Sequence, residues 1–316
     1  MSILEVRHLK KYFDTKAGVL HAVDDVSFSI EKGETLGIVG ESGCGKSTLG
    51  RTIQHLLPAT DGTILFKGRD VTKLSKKEVK DFMKEVQMIF QDPYSSLNPR
   101  MTGKQIIMEP LLIDGMKKKE AQDEVRAMME TVGLDARFEN AYPNELDGGR
   151  RQRIGIARAL ILKPEFVICD EPVSALDVSI QAQILNLMQD LQEQLGLTYI
   201  FVTHDLSVVK YISNKIAVMY LGNLVEYADT EELFANPQHP YTQALLASVP
   251  TTDLAKVQEI EIIPGEITSP IEPGPGCRFA SRCRHASEMC TCLQPELIKS
   301  GESHQVACHL FGGQEG

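Results

Sequence analysis

The stretch Gly40-Glu41-Ser42-Gly43-Cys44-Gly45-Lys46-Ser47-Thr48 fits the pattern G-x-x-x-x-G-K-[ST]. In this pattern the backbone N–H groups of a glycine-rich loop and the lysine side chain surround nucleotide phosphates. An apolar run of strand character, residues 35–39, precedes the loop, and residues 46–57 after it have a helical pattern. Strand, glycine loop and helix follow in the order that a phosphate-binding loop requires. The sequence therefore predicts a site for ATP or GTP.

A pair of acidic residues ends a second apolar run, Phe166-Val167-Ile168-Cys169-Asp170-Glu171. A strand here would deliver both carboxylates beyond its carboxyl end, where Asp170 holds Mg²⁺ through water and Glu171 polarises the attacking water. A helix cap or a turn is the weaker interpretation of Asp170. The guanine-reading pattern Asn-Lys-x-Asp is not met, because Asn214-Lys215-Ile216-Ala217 lacks the acid. These residues predict hydrolysis, with ATP favoured over GTP.

Composition and charge limit the possible partners. The chain has 316 residues and a net charge of −10, which gives no basic surface for a nucleic-acid backbone. No run approaches the ~18 to 20 apolar residues of a membrane span, and residues 1–7 carry no apolar signal core. We therefore expect a chain that stays in the cytoplasm, binds no nucleic acid and leaves any membrane work to other polypeptides.

The order of patterns along the chain predicts its organisation. Short alternating runs at residues 3–6, 26–30 and 63–67 open the chain, and a largely helical region with lysine-rich faces covers residues 73–162. Strand signals return at 165–169, 198–202 and 215–219, separated by a long helical stretch at 180–195. Alternation of strands with helices predicts a largely parallel sheet covered by helices. A Pro- and Gly-rich stretch near residue 270 then marks a domain boundary.

Five of the seven cysteines fall near the C-terminus. Cys277, Cys283, Cys290 and Cys308 have five, six and seventeen residues between successive members, and Cys292 is an extra thiol. Disulfides are not expected in a reducing cytosol, so metal ligation is the favoured interpretation. Four thiolates suit either zinc or an iron–sulfur cluster, and the spacing does not separate the two. Free thiols remain an alternative.

A series of further motifs resembles the ATPase subunit of an ABC transporter over about residues 3–236. The motifs are Phe90-Gln91-Asp92-Pro93, Leu146-Asp147-Gly148-Gly149-Arg150, Asp170-Glu171-Pro172, Ser174-Ala175-Leu176-Asp177 and Val202-Thr203-His204-Asp205. Three others and the cysteine tail resemble the oligopeptide, dipeptide and nickel importer subfamily, in particular its second, F-type peptide-importer ATPase. These are Asn98-Pro99-Arg100-Met101, Pro172 to Ser179, and Asn236-Pro237-Gln238-His239-Pro240-Tyr241.

This resemblance implies an α/β fold of the P-loop NTPase class, ABC type. A mixed sheet, an inserted helical subdomain and a small Cys-rich metal-binding extension at the C-terminus are expected. The implied divisions are an ATPase domain over residues 1–236 with the helical subdomain at about 92–162, a linker with a helix over 237–276, and a Cys-rich module over 277–316. The subfamily resemblance favours a [4Fe-4S] cluster over Zn²⁺ in that module.

The resemblance also implies roles for single residues. Lys46, Ser47 and Thr48 would contact phosphates and Mg²⁺, and Asp170 with Gln91 would complete the metal site. Glu171 is the implied general base, and His204 would hold the γ-phosphate end. The ring that contacts adenine is Phe13, with Tyr12 as the alternative and core packing as the competing interpretation of either. Residues 174–177 correspond to the D-loop at the dimer interface.

The signature motif departs from the family pattern. The family has Leu-Ser-Gly-Gly-Gln, whereas residues 146–150 are Leu146-Asp147-Gly148-Gly149-Arg150. In such dimers the signature faces the ATP held by the partner, with its N–H groups and helix N-terminus toward the γ-phosphate. A carboxylate ~4 Å from a phosphate charge is repelled by ~4 kcal/mol at an effective dielectric of ~20, which exceeds the ~1 kcal/mol of a helix cap.

We therefore hypothesise an asymmetric heterodimer with a second ABC ATPase, in which only the ATP on this chain's own loop is hydrolysed at full rate. The alternative is that Arg150 swings in and the second site works normally. The resemblance implies further partners: two transmembrane permease subunits and an extracytoplasmic substrate-binding protein, with this chain on the cytoplasmic face of the inner membrane. Short peptides are the favoured cargo and nickel the next. A soluble ABC ATPase acting on DNA or ribosomes, and a nonhydrolytic regulatory subunit, are the other classes considered.

Overall fold

The computed structural model describes residues 2–248 and 269–311. The chain folds into two compact units. Unit 1 comprises Met1–Lys73 and Thr203–Gly316, and unit 2 comprises Leu74–Val202. Much of the predicted linker, residues 249–268, lies outside the described residues.

The helices and strands are numbered along the chain. The strands are β1 (Ser2–Thr15), β2 (Gly18–Glu31), β3 (Thr35–Val39), β4 (Asp61–Phe66), β5 (Arg69–Asp70), β6 (Val86–Ile89), β7 (Phe166–Asp170), β8 (Thr198–Val202), β9 (Lys215–Tyr220), β10 (Asn223–Asp229), β11 (Ile298–Lys299) and β12 (His304–Val306). The helices are α1 (Lys46–Ile53), α2 (Lys76–Glu85), α3 (Pro93–Ser96), α4 (Gly103–Ile113), α5 (Lys118–Thr131), α6 (Gly148–Leu160), α7 (Val178–Leu195), α8 (Leu206–Ile212), α9 (Thr230–Ala235), α10 (Pro240–Ala247) and α11 (Glu288–Cys292).

Unit 1 contains two runs of paired strands. The antiparallel sheet has the order β2-β1-β4-β5. The opening strands that the sequence predicts lie in β1, β2 and β4, except that β4 ends at Phe66, one residue earlier than predicted. In the second run, β3 pairs with β9 in parallel, while β10 and the short C-terminal strands β12 and β11 continue it antiparallel. All five residues of β3 are buried, as expected for a parallel strand that is covered on both faces. The predicted mixed sheet is confirmed.

Unit 2 holds the parallel strands β6, β7 and β8, together with helices α2 to α7. The sequence predicts β7, β8 and most of α7, which begins at Val178 rather than Ile180. The prediction of a largely helical region over residues 73–162 is wrong for β6, which lies inside it. Its four residues are too few to show a period of their own, and α2 directly before it has a strong amphipathic pattern with a Ser75/Glu78 capping box.

The C-terminal segment, residues 269–311, packs into unit 1. Glu226 of β10 is fully buried and accepts hydrogen bonds from the backbone N–H groups of Gln238 and His239. His304 of β12 lies 2.7 Å from the same carboxylate. A buried carboxylate is stable only with such partners, so these contacts fix β12 at the edge of β10. Among the described residues, no helix combines the length and apolarity needed to cross a membrane.

Candidate nucleotide site

The glycine-rich loop between β3 and α1 has the backbone shape that its sequence predicts. Gly40 and Gly45 have φ of 152° and 104°, which side chains of L-residues rarely permit. A Cβ at Gly40 would lie 2.2 Å from the Met219 carbonyl oxygen, and one at Gly45 would lie 2.0 Å from that of Ala22. Glycine is therefore required at both positions by conformation and by close backbone approach. The exposed tip of the loop is Ser42-Gly43.

Lys46 crosses back over the loop from the first turn of α1. Its side chain is nearly buried, at 5% exposure, and Nζ donates to the carbonyl oxygens of Gly40 at 2.7 Å and Glu41 at 2.9 Å. Cys44 is buried beside it, and burial raises the pKa of the Cys44 thiol. Ser47 and Thr48 follow in the same turn, half-buried. The loop thus brings one positive charge and a hydroxyl-bearing helix start together, a suitable arrangement for phosphate and its cation.

The two candidate aromatic rings lie on β1 near the start of α1. Tyr12 pairs with His21 and Phe13 with Leu20 on β2, next to Ala22, which approaches Gly45. The Tyr12 ring stacks on the His21 ring at 4.0 Å between centroids, and its hydroxyl donates to Asp24. The Phe13 ring has the Lys11 Nζ 4.7 Å from its centroid. Because His21 covers one face of Tyr12 and Asp24 binds its hydroxyl, Phe13 stays the predicted adenine contact.

His204 follows β8 in the part of the chain that belongs to unit 1. The backbone N–H of Thr203 donates to the Ile38 carbonyl at 3.1 Å, two residues before the glycine loop begins. Asp205 caps α8 by accepting from the N–H groups of Ser207 and Val208. The exposed His204 is thereby anchored on both sides. The prediction that it serves the γ-phosphate end of the site stays a prediction.

In unit 2 the acid pair follows β7 as the sequence predicts. Asp170 is the last residue of β7 and is fully buried. Glu171 has a φ of 47°, an uncommon conformation for a residue with a side chain, and its N–H donates to the Val202 carbonyl at 2.9 Å. Gln91 lies two residues beyond β6, which runs parallel to β7, and its Nε2 donates to Glu171 Oε2 at 2.7 Å. The structure therefore brings together two of the predicted catalytic residues.

The signature residues form the start of α6. Asp147 is the N-cap and accepts from the backbone N–H of Arg150 at 2.8 Å, as a serine would. The Arg150 guanidinium also donates to the second oxygen of Asp147, and it lies 4.4 Å from the centre of the Phe138 ring. Leu146 is buried behind this turn. The two departures from the family pattern are thus paired with each other.

The signature and the D-loop are neighbours within unit 2. A Cβ at Gly148 would lie 2.9 Å from the Leu176 side chain, and one at Gly149 would lie 2.8 Å from Ile180. Ser174 turns back to the Glu171 carbonyl, with which its hydroxyl forms a 3.1 Å hydrogen bond. The other D-loop residues Ala175 and Asp177 are exposed. The D-loop therefore connects Glu171 to the signature turn through direct contacts.

The predicted cysteine cluster lies in the C-terminal segment of unit 1. Burial, together with the neighbouring thiols of Cys290, Cys308 and Cys283, raises the pKa of Cys277 to about 11. The Cys277 N–H donates to the Cys290 carbonyl at 2.7 Å. The fifth thiol, Cys292, is exposed. Over residues 2–248 and 269–311, no group of three or more His, Cys, Asp or Glu side chains is placed to hold a metal ion.

One contact of the loop was missed by the sequence patterns. The backbone N–H of Glu41 donates to the hydroxyl of Tyr241 at 2.8 Å. Tyr241 is the second residue of α10, and the resemblance of its motif to importers gives no reason to place it against the loop. No local pattern carries such a contact, since 200 positions separate the two residues.

Comparisons with known proteins show the family to which the chain belongs. The ABC transporter family profile matches residues 23–174, and that of the oligopeptide/dipeptide transporter C-terminal region matches 225–290. The oligopeptide transport ATP-binding protein AppF of Bacillus subtilis is 52% identical over 98% of both chains. OppF of Haemophilus influenzae is 50% identical over 97% of this chain and 96% of its own.

Solved structures of ATP-binding cassettes share the fold. A dimeric ATP-binding cassette, MJ0796, in a post-hydrolysis state with ADP and Pi matches with a TM-score of 0.66 and 28% identity, over 72% of this chain and 98% of its own. CbiO1 of Clostridium perfringens, part of the ABC transporter complex cbiONQ, matches with a TM-score of 0.67 and 27% identity, over 74% and 91%. The chain therefore belongs to the ABC transporter ATPases, in the family of oligopeptide transport ATP-binding proteins.

Proposed function

We propose that this chain is the ATP-binding and ATP-hydrolysing subunit of a multi-subunit importer for short peptides. The relatives named for oligopeptide transport match over nearly the whole chain, including the C-terminal region. Such an importer needs a second ATPase, two transmembrane permeases and an extracytoplasmic binding protein that delivers the peptide. The chain then works on the cytoplasmic face of the membrane, bound to the permeases.

The hydrogen bond from Gln91 to Glu171 is the observation that carries the catalytic proposal. In hydrolysis Glu171 accepts a proton from the attacking water, and Gln91 orients the carboxylate for that transfer. The loop N–H groups and Lys46 bind the phosphates, and His204 holds the γ-phosphate. Glu171 also has a left-handed backbone, an uncommon conformation of the kind that clusters at active sites.

Mg²⁺ suits the oxygen donors that these residues offer. Ser47 supplies a hydroxyl, Gln91 an amide oxygen and Asp170 a carboxylate at the buried end of β7. Mg²⁺ prefers such oxygen ligands, takes few of them from protein and keeps several waters. When bound, it would neutralise charge on the β- and γ-phosphate oxygens.

The variant Glu171→Gln tests the catalytic proposal in the purified importer complex. We expect phosphate release to fall by at least about a hundredfold, because the amide cannot accept the proton, while ATP binding persists. Glu193→Gln, a change of the same type at an exposed position on α7, is the control and should leave the rate unchanged. Wild-type phosphate release by Glu171→Gln would refute the assignment.

The ATPase dimer is proposed to be an asymmetric heterodimer, and the Asp147–Arg150 pair sharpens this hypothesis. The solved relative MJ0796 is dimeric, and a signature that faces the partner's γ-phosphate would bring Asp147 near it. Arg150 forms an exposed ion pair with Asp147, and such pairs are weakened by solvent, so part of the carboxylate charge stays uncompensated. The repulsion of a bare carboxylate at ~4 Å and an effective dielectric of ~20 is ~4 kcal/mol, and the pair lowers it only in part. We therefore retain the slow second site, with ATP on the partner's loop.

Single and double variants of the signature test this asymmetry. Asp147→Ser with Arg150→Gln should raise the ATPase rate of the full complex toward that of two working sites. Arg150→Gln alone leaves the Asp147 carboxylate uncompensated and should lower the rate. Phosphate release per complex at saturating ATP measures both. Equal rates in the wild type and the double variant would show that the second site is not impaired.

We also propose that Cys277, Cys283, Cys290 and Cys308 hold a [4Fe-4S] cluster. The four thiols influence one another electrostatically and are half-buried in one small segment. Four thiolates suit either a cluster, with one thiolate per iron, or tetrahedral zinc. The resemblance to the peptide-importer subfamily is what favours the cluster. Its work here would be structural, holding together a segment with few large apolar side chains.

Metal analysis of the anaerobically purified chain tests the cluster. We expect brown iron–sulfur absorption with about four iron atoms per chain. Cys283→Ser should lose both, whereas Cys292→Ser, which removes the exposed extra thiol, should keep them. Stoichiometric zinc, or no metal at all in the wild type, would contradict the proposal.

A further inference from the structure

Glu41, the second residue of the phosphate loop, is held at three points. Its N–H donates to the Tyr241 hydroxyl at 2.8 Å, and its carbonyl accepts from Lys46 at 2.9 Å. Its carboxylate forms an ion pair with Arg282 at 3.0 Å, in which both terminal nitrogens of the guanidinium take part. Two of the three contacts come from residues about two hundred or more positions further along the chain.

Arg282 is itself fixed by its surroundings. Its side chain is 7% exposed, and it donates to the Tyr220 hydroxyl at 3.3 Å. The rings of Tyr220, Tyr241 and Phe279 pack edge-on or tilted against one another with centroids 4.7 to 5.5 Å apart. Its hydrogen bond to Tyr220 ties the guanidinium to this packed aromatic cluster. The ion pair with Glu41 is therefore part of the packed interior of unit 1 rather than a surface contact.

A second arginine of the same segment, Arg278, contacts β2 near the two candidate aromatic rings. Arg278 pairs with Asp24 and donates to the Leu221 carbonyl. Asp24 also accepts from the Tyr12 hydroxyl and lies 3.0 Å from His21 Nδ1. Although burial raises the pKa of Asp24, the hydrogen bonds from Tyr12 and His21 and the charge of Arg278 leave it below its ordinary value. One short stretch, residues 278–282, thus contacts the phosphate loop directly and Tyr12 through Asp24.

The charge of Glu41 explains why the loop needs Arg282. A carboxylate within the loop that binds a triphosphate repels the ligand, and at a partly buried position this repulsion is only weakly screened by salt. The Arg282 guanidinium neutralises that negative charge. Phe279 of the same segment packs on Tyr241, whose hydroxyl accepts from the Glu41 backbone N–H. A preformed and neutralised loop binds its ligand without the cost of ordering it.

We propose that Arg282 is a positioning residue for ATP, which acts by neutralising Glu41 and holding the phosphate loop in its binding shape. The C-terminal segment then contributes to nucleotide affinity in addition to any metal that it holds. This inference rests on the proposed role of residues 40–48 as the phosphate site.

Calorimetric titration of the full chain with Mg²⁺-ATP tests the inference. We expect Arg282→Ala to weaken ATP binding by about tenfold, and Arg282→Lys, which keeps the charge, to lose less. The double variant Glu41→Gln with Arg282→Ala should recover most of the affinity, because the uncompensated carboxylate is gone. Arg284→Ala, an exposed arginine two residues on, should match the wild type. In the importer complex, Arg282→Ala should raise the KM for ATP with little change in kcat.

Each outcome has a distinct meaning. Wild-type affinity in Arg282→Ala overturns the inference. Equal losses in Arg282→Ala and the double variant overturn the electrostatic role, since a purely structural arginine is not rescued at Glu41. If Arg282→Ala fails to fold, Arg282→Lys serves as the test instead. An Arg282→Lys variant that folds but binds ATP as weakly as Lys46→Ala would overturn the inference, because the positive charge is kept. Absence of ATP binding in the wild type would refute the phosphate site itself and not this inference.

Discussion

The nucleotide site depends on the Lys46 ammonium and the two carbonyl oxygens that it binds. A charged group at 5% exposure is stable only with polar partners, and Gly40 and Glu41 supply them from the loop itself. The same bonds draw the loop around the lysine, so that the charge needed for phosphate also fixes the loop conformation. This loop conformation requires glycine at positions 40 and 45, because a side chain there would collide with neighbouring carbonyl groups.

The positions of the proposed catalytic residues Gln91 and Glu171 depend on where β6 and β7 end. Gln91 and Glu171 meet because β6 and β7 are parallel neighbours and each ends two residues or fewer before them. The uncommon backbone of Glu171 is stabilised by its N–H bond to Val202 at the end of β8. Three neighbouring strands thus hold one carboxylate in a defined place, which is the preorganisation that the proposed catalytic role of Glu171 requires.

Much of this architecture follows from the sequence, because the decisive elements are local. The glycine loop, the acid pair after β7 and the helix α7 carry their patterns within a few residues. β6 was missed because a strand of four residues next to an amphipathic helix carries no separate period. The pairing of Arg150 with Asp147 required the cap geometry of α6. The contact of Arg282 with Glu41 spans 241 positions, a distance over which no pattern in a single chain gives a signal.

The central claim is that residues 40–48 hold the triphosphate through Lys46, and ATP binding to the full chain tests it most directly. Titration of the Lys46→Ala variant with Mg²⁺-ATP should show an affinity at least about a hundredfold below that of the wild type, since a charge-assisted contact to phosphate is lost. The variant Lys119→Ala, at an exposed lysine of α5, should bind as the wild type does. Undiminished binding by Lys46→Ala would contradict the account.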